Sequence, residues 1–164
     1  LGLLKSIESA TSTIDIANAY VILTPAMRDA LIRARERGVK VRIFTNSSKS
    51  VDEPVVSVPI LKSLAELIPH GIEVHLKQGA TLHSKFAIFD NELSWVMSYN
   101  LHPRSLVYEG EVANVILDAK FARQMTEDFE VDLKEALGVK TVAELNIPTS
   151  ALSNIAGSYF FNRL

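Results

Sequence analysis

The chain of 164 residues is long enough for one domain with a sizeable hydrophobic core and too short for two ordinary domains. Its hydrophobic content of 48%, with 7 glycines and 6 prolines, indicates a compact fold and excludes a disordered chain. The formal net charge of -2 lowers the expectation of nucleic-acid binding without excluding it, because a local basic patch can suffice. The absence of cysteine excludes disulfide bonds and thiolate metal sites.

The first elements in chain order form a strand-helix-strand unit. An apolar run at residues 14–20 predicts a strand. Thr24 as N-cap and Pro25 as first residue predict a helix, which Gly38 ends. Residues 39–44 alternate between apolar and polar before becoming apolar, which predicts the second strand.

A second unit of the same kind follows. It consists of a helix from about residue 59 to 68, a break at Gly71 and a strand at 72–76. Residues 83–89 and 93–97 are then predicted as strands of a hairpin, joined by the polar turn between them. Both strands carry apolar residues on both faces, so they are expected to be central in a covered sheet.

The last strand and helix complete an α/β fold. Residues 112–117 predict a strand, and residues 120–137 predict a helix that covers the sheet. Its apolar residues recur at helical spacing: Phe121, Met125, Phe129, Leu133 and Leu137. The expected architecture is a mixed β-sheet flanked by helices on both faces, with one domain over residues 1–138. The tail, 139–164, is expected to be helical and to pack on this domain or on a missing lobe.

Four side chains of the hairpin region suit phosphoryl transfer. His83 and Lys85, two apart on a predicted strand, project from the same face, and the next loop brings Ser98 and Asn100 toward the same strand end. An imidazole can attack or protonate, an ammonium group can neutralise phosphate oxygens, and neutral polar groups can hold those oxygens.

Segments 83–90 and 97–100 resemble, in residue type and spacing, the HKD motif of the phospholipase D superfamily, with Met97 in the position of a glycine. A side chain at that position is expected to crowd the phosphate pocket. The resemblance extends over roughly residues 7–133. Residues 101–105 are similar to a segment of bacterial cardiolipin synthases that the related nucleases usually lack.

In this family two such motifs meet at the interface of two lobes or of two subunits. The flanking segments resemble a C-terminal lobe, so the resemblance implies a missing N-terminal lobe of the same protein with a second motif. The isolated lobe is then expected to be inactive. The chain also begins with Leu1, which is consistent with a part of a longer protein. Such a protein is expected in the bacterial cytoplasm or at the membrane, with any membrane anchor outside this chain.

The resemblance also implies residue roles. One histidine attacks the phosphodiester to form a phosphohistidine, and the other protonates the leaving alcohol and activates the acceptor. His83 takes one of these roles, and its place in the C-terminal motif favours the acid/base role. Lys85 and Asn100 would bind the non-bridging phosphate oxygens, with Ser98 in the same pocket. No metal or other cofactor is implied, since lysines from both lobes would supply the positive charge.

Three further side chains have expected roles. Glu111 occupies the position of a family glutamate that orients the catalytic histidine and stabilises its cation. Asp90 belongs to the motif but points away from His83 and Lys85, so it is expected to be structural and to bond turn amides or a nearby cation. Arg104 is a candidate contact for a lipid phosphate, or it pairs within its own loop.

The sequence therefore favours one lobe of a cardiolipin synthase-like phosphatidyltransferase that acts on phospholipids at a membrane surface. Two alternatives remain open. One is a single-motif homodimeric nuclease or phosphodiesterase of the same superfamily, which the modest charge disfavours. The other is a degenerate lobe that is retained for scaffolding or membrane docking, for which Met97 is the best argument.

Overall fold

The computed structural model describes residues 2–107 and 110–148. Within these residues the strands and helices are the following: α1 (Gly2–Ser9), β1 (Thr13–Asn18), α2 (Pro25–Glu36), β2 (Lys40–Asn46), α3 (Pro54–Ala65), β3 (Glu73–Lys77), β4 (Lys85–Phe89), β5 (Leu93–Met97), α4 (Pro103–Val107), β6 (Ala113–Leu117), α5 (Ala119–Leu133) and β7 (Leu137–Val139). Two short 3-10 helices, Ile68–His70 and Val142–Leu145, precede β3 and follow β7.

The strands form one mixed sheet in the order β6-β5-β4-β1-β2-β3-β7. The central strands β1, β2 and β3 are parallel to one another, and β4 pairs antiparallel with β1. The chain runs from β1 to β2 and β3 in one direction and then returns to the other side of β1. The carboxyl end of β1 therefore lies where the direction of the connections changes, which is a common place for a binding site in α/β sheets.

Helices cover both faces of the sheet, as the sequence predicted. The larger core lies on the face of α1, α2 and α3, where the central isoleucines of β1 and β2 are fully buried: Ile14, Ile16 and Ile43. On the other face Phe129 of α5 packs edge to face against Phe44 of β2 and Phe86 of β4, with ring centroids 6.3 and 6.1 Å apart. No helix within the described residues is long and apolar enough to cross a membrane.

A buried ion pair lies under α5. The guanidinium of Arg42 in β2 binds both carboxylate oxygens of Asp15 in β1, at 2.6 and 2.8 Å, and also contacts Glu130 of α5. Its Cζ lies 5.1 Å from the centre of the Phe129 ring. The pKa of Arg42 is raised, chiefly by the hydrogen bond to Asp15. The side chain of Asp15, in the middle of β1, thus satisfies a buried arginine.

Two predicted helices have different bounds in the structure. α3 begins at Pro54, five residues before the predicted start, and contains Pro59 in its interior. Pro59 is buried with its neighbours, so apolar packing offsets its missing backbone donor. α5 ends at Leu133, because the next apolar position, Leu137, pairs with Leu76 in the sheet instead.

The residues that follow α5 add a strand, β7, to the edge of the sheet. The predicted boundary after residue 138 falls inside β7, which pairs antiparallel with β3. The 3-10 helix at Val142–Leu145 occupies part of the predicted helical tail, and Leu145 is 4% exposed in the main core. The rest of the predicted tail lies outside the described residues.

The hairpin of β4 and β5 forms with the predicted polar turn of three residues, 90–92. Asp90 and Asn91 both have a φ of 55°, in the left-handed region that twisted hairpins require. The Asp90 carboxylate accepts hydrogen bonds from the backbone N–H groups of Thr11, Ser12 and Thr13 at 2.7 to 2.9 Å. Burial raises its pKa, but these backbone donors outweigh burial and lower it. Asp90 thus fastens the start of β1 to the hairpin.

We expect Asp90→Ala to lower the free energy of unfolding by about 2 kcal/mol, because it leaves several backbone donors without their acceptor. Urea denaturation of the purified chain measures this. Glu92→Gln, in the same turn and exposed, is the matched control and is expected to change stability by less than about 0.5 kcal/mol. The contribution of Asp90 should be present at neutral pH and be lost as the pH falls through its lowered pKa. Equal effects of both substitutions would contradict the assignment.

Candidate functional site

His83 lies in the loop immediately before β4 and not within the strand. β4 begins at Lys85, so the two side chains do not share a strand face as the sequence predicted. The His83 side chain is exposed, whereas Lys85 is only 8% exposed. The reason is that the preceding residue, Leu82, is held by a side chain from another strand, which pulls this segment out of the β-ladder.

That side chain is Asn46, the last residue of β2, which is 1% exposed. Its amide donates to the carbonyl oxygens of Leu82 and Ala19 at 2.9 and 3.1 Å. Its carbonyl oxygen accepts from the Leu82 N–H at 2.8 Å and from the Ser50 hydroxyl at 2.9 Å. The side chain of Asn46 therefore uses all of its hydrogen-bonding capacity, and two of its four bonds hold the residue before His83.

Asn18, the last residue of β1, holds the second loop of the site in the same way. Its side chain is fully buried, and its amide donates to the carbonyl oxygen of Tyr99 at 3.3 Å. Its carbonyl oxygen accepts from the N–H groups of Leu101 and Tyr20 at 3.1 and 3.2 Å. Asn18 also pairs with Lys85 across the sheet, so it brings Asn100 to the start of β4.

Asn100 has a buried polar atom with no protein partner. Its neighbours on both sides are fixed by Asn18, and its Oδ1 is buried without a hydrogen bond in the described part of the chain. Buried polar atoms are normally hydrogen-bonded, and exceptions call for an explanation such as a ligand. The orientation of the amide group decides whether an oxygen or an N–H group points to that position.

Lys85 is buried with its charge directed at the His83 backbone. Its Nζ donates to the carbonyl oxygen of His83 at 2.7 Å. Burial lowers the pKa of Lys85, and the carboxylates of Asp52 and Glu111 oppose this effect. Met97 occupies the family's glycine position. The antiparallel register of β4 and β5, continued by one residue, places it opposite Lys85. Its side chain is 7% exposed and packs in the main core, so it adds apolar surroundings beside the lysine.

Ser98 and Glu111 interact with each other. The Ser98 hydroxyl donates to Glu111 and also contacts the backbone of Val112. The sequence predicted that Glu111 would orient His83, but the hydrogen bond of its carboxylate goes to Ser98. Burial, with a smaller contribution from Glu111, raises the pKa of Tyr99 to about 12. The side chain of Glu111 therefore borders the site through Ser98 and Tyr99.

Tyr20 and Asp52 form a second side of the site. The Tyr20 hydroxyl donates to Asp52 Oδ1 at 2.6 Å, and its ring stacks on His102 with centroids 6.4 Å apart. The sequence pattern did not predict either residue as part of the site. Tyr20 lies in an apolar run, and such a run does not indicate that a tyrosine hydroxyl binds a carboxylate.

Two other residues predicted from the sequence, Arg104 and Asp90, differ in their position relative to the site. Arg104 is on the exposed side of α4, next to the loop that contains Asn100. Asp90 lies at the opposite end of β4 and takes no part in the site. No cluster of three or more potential metal ligands occurs among residues 2–107 and 110–148.

A cleft of about 420 Å³ adjoins the site. It runs between the starts of α1 and α2, the end of β5 and the start of β6. Most of its lining is apolar, and it also includes two residues of the site, Tyr99 and Glu111. The cleft therefore adjoins the loop that contains Asn100.

Residues 3–133 match the protein family described as "Cardiolipin synthase, PLD-like domain". The chain belongs to the phospholipase D superfamily. The sequence is 34% identical over 133 residues to cardiolipin synthase 2 of Staphylococcus epidermidis, covering 81% of this chain. It is 33% identical over 132 residues to a cardiolipin synthase of Staphylococcus aureus, covering 80% of the chain. The chain spans only 27% and 26% of the length of these two relatives.

Solved structures agree with this fold. Nuc of Salmonella typhimurium, a phospholipase D family member, superposes with a TM-score of 0.74 at 23% identity, covering 85% of this chain and 89% of Nuc. Phosphatidylserine synthase of Haemophilus influenzae superposes with a TM-score of 0.82 at 14% identity, covering 96% of this chain and 41% of the synthase. The same fold unit thus occurs both as nearly a whole chain and as less than half of a chain.

We expect Asn18→Ala to lower the free energy of unfolding by about 2 to 4 kcal/mol, because it leaves buried backbone groups of Tyr20 and Leu101 without partners. Urea denaturation gives the value. Asn114→Ala is the matched control, because Asn114 is exposed and should change stability by less than about 0.5 kcal/mol. A native-like stability of Asn18→Ala would show that Asn18 does not hold the loop that contains Asn100.

Proposed function

We propose that this chain is one lobe of a phospholipase D-type phosphatidyltransferase, cardiolipin synthase-like, that exchanges phosphodiesters of glycerophospholipids through a phosphohistidine. The observation that carries the proposal is the convergence of an exposed imidazole, a buried ammonium group and a buried amide at one end of the sheet. His83 forms or breaks bonds to the leaving or acceptor oxygen, and the motif's place in the C-terminal lobe favours its acid/base role. Lys85 and Asn100 bind the phosphate oxygens.

The environment of each group supports its assigned role. His83 is exposed and can reach a substrate, while its backbone is fixed through Leu82 and Asn46. Lys85 is held in a less polar setting, where its interaction with a phosphate oxygen is stronger than in water. The buried Oδ1 of Asn100 has no hydrogen-bond partner within the described residues, and with the amide group turned over its N–H group would donate from this position to a phosphate oxygen. Ser98 and Glu111 complete this side of the pocket, and Arg104 is a candidate for a second phosphate contact.

The adjoining cleft supports a lipid substrate. A phospholipid carries apolar chains beside its phosphodiester, and the cleft provides a mostly apolar wall beside Tyr99 and Glu111. The matched family and the relatives are also described as cardiolipin synthases. Since the substrate resides in a bilayer, the whole protein would act at a membrane surface. The second histidine, lysine and asparagine would come from the part of the protein that this chain does not include.

We expect His83→Ala to reduce phosphatidyl transfer by about 10³-fold or more in the longer protein that contains this chain, because it removes a group that makes or breaks the reacting bonds. Thin-layer chromatography of labelled phosphatidylglycerol vesicles measures the transfer. His70→Ala is the matched control, since His70 is exposed and precedes β3 at the other end of the sheet. Retention of activity by His83→Ala would instead favour a lobe kept for scaffolding.

A homodimeric phosphodiesterase or nuclease with one motif in each subunit is the second candidate. It is favoured by the single motif in this chain and by the Nuc structure, most of whose chain is covered by this fold. In a homodimer His83 and Lys85 from two copies would meet, and no second lobe would be needed. The modest net charge gives no support for a nucleic-acid substrate.

We expect the purified 164-residue chain to sediment as a monomer and to be inactive both on phosphatidylglycerol vesicles and on single-stranded or double-stranded DNA. Sedimentation velocity and the two assays on the same sample test this, because a monomer contributes only one motif. A tight dimer that cleaves DNA would favour the nuclease. A dimer that transfers phosphatidyl groups would retain the lipid substrate but replace the second lobe with a second copy.

A further inference from the structure

The cleft beside the site opens on the same face of the sheet as Lys85. In β4, Lys85 alternates with Ala87 and Phe89, which belong to the core on the face of α1, α2 and α3. Trp95 of β5 lines the cleft and pairs with Ala87 across the ladder. The backbone of Lys85 is thus only two residues, about 7 Å, along β4 from the partner of Trp95. A molecule whose phosphate lies at Lys85 can therefore extend into the cleft.

The walls of the cleft are held by hydrogen bonds and close packing. The Trp95 indole N–H donates to the Ser6 hydroxyl of α1 at 3.1 Å. A Cβ added to Gly2 would lie 2.6 Å from the Trp95 ring, so the ring packs directly on the backbone of α1. At the start of α2 the Thr24 hydroxyl accepts from the Met27 N–H at 3.4 Å and caps the helix. The cleft is therefore formed before a ligand binds, which keeps the entropic cost of binding low.

The charges of the lining favour an uncharged, apolar occupant. Among the described residues that line the cleft there is no lysine, arginine or histidine, and the only side chain charged at neutral pH is that of Glu111. A phosphate in the cleft would lack a counter-charge and would be repelled by this carboxylate. Leu4, Met27 and Val112 instead supply apolar surface, which a hydrocarbon chain would remove from water.

The size and the mouth of the cleft also fit a hydrocarbon chain. Its volume of about 420 Å³ is near the lower end of the range for small-molecule pockets, about 300 to 1,000 Å³, which suits one acyl chain rather than a whole diacyl lipid. Two apolar lining residues are open to solvent, Val112 directly before β6 and Ala26 in the first turn of α2. A chain that enters from outside would therefore cross an apolar surface.

We propose that this cleft binds one acyl chain of the glycerophospholipid substrate while the phosphate lies at Lys85 and Asn100. The identity of the occupant as part of the substrate rests on the proposed function, whereas the affinity of the cleft for an acyl chain does not. The cleft selects acylated phosphodiesters over deacylated ones, because each methylene group removed from water favours binding about fourfold.

Trp95 is the only tryptophan of the chain, so its fluorescence reports on the cleft. The test uses the 164-residue chain and dihexanoyl-phosphatidylglycerol with brominated acyl chains, kept below its critical micelle concentration. Bromine quenches an indole ring only at close range. We expect saturable quenching of Trp95 by this lipid. Glycerophosphoglycerol, which has the same head group without acyl chains, is expected to leave the emission unchanged.

Ala26→Phe narrows the cleft from an exposed position. It is expected to raise the lipid concentration at half-maximal quenching by about 10-fold, which corresponds to about two methylene groups kept out of the cleft. Ala143→Phe is the matched control, because Ala143 is an exposed alanine in the 3-10 helix after β7, at the other edge of the sheet. It is expected to change this concentration less than about twofold. Thermal unfolding of each variant separates a filled cleft from a loss of structure.

The inference would be overturned by an absence of quenching, or by equal half-maximal concentrations for the native chain and Ala26→Phe. An equal change of emission with glycerophosphoglycerol would assign the cleft to the head group and would overturn it as well. None of these measurements depends on phosphatidyl transfer. The cleft can therefore fail to bind the chain while His83→Ala abolishes transfer, and it can bind the chain while the proposed function fails.

Discussion

The site depends on how the buried backbone at the ends of β1 and β2 is satisfied. The two strands end side by side in the interior, and the chain beyond each of them leaves the hydrogen-bond ladder of the sheet. Buried N–H and C=O groups that lose ladder partners must find others. Asn18 and Asn46 provide them, and each does so by binding a loop from elsewhere in the chain. The same bonds that stabilise the fold therefore place the residues next to His83 and Asn100.

This constraint gives two residues of one motif different environments. Fastening Leu82 to β2 keeps His83 outside β4, where its ring is exposed, while Lys85 begins the strand and is buried. An imidazole that exchanges protons and bonds with a substrate needs access, and an ammonium group that binds a phosphate oxygen gains strength from a less polar setting. Burial lowers the pKa of the lysine, and the carboxylates of Asp52 and Glu111 oppose this effect.

The sequence was sufficient for the architecture and for the family, because both depend on local patterns. Strand and helix periodicity predicted the two-sided sheet, and the spacing of the motif pointed to the family. The asparagines were not found, since a buried asparagine at a strand end has the same sequence pattern as a loop residue. The sequence predicted that Glu111 would contact His83, whereas in the structure its carboxylate accepts a hydrogen bond from Ser98. Spacing along the chain did not reveal this contact.

The balance of charge explains why this lobe is expected to need a second set of residues. Lys85 is the cation of the motif, and two carboxylates, Asp52 and Glu111, act on it. A phosphodiester adds a further negative charge, and the transition state of phosphoryl transfer requires that the charge on its oxygens be stabilised. One lysine beside two carboxylates provides a poor electrostatic match for such an anion. An additional cation from another lobe or copy would make the match favourable.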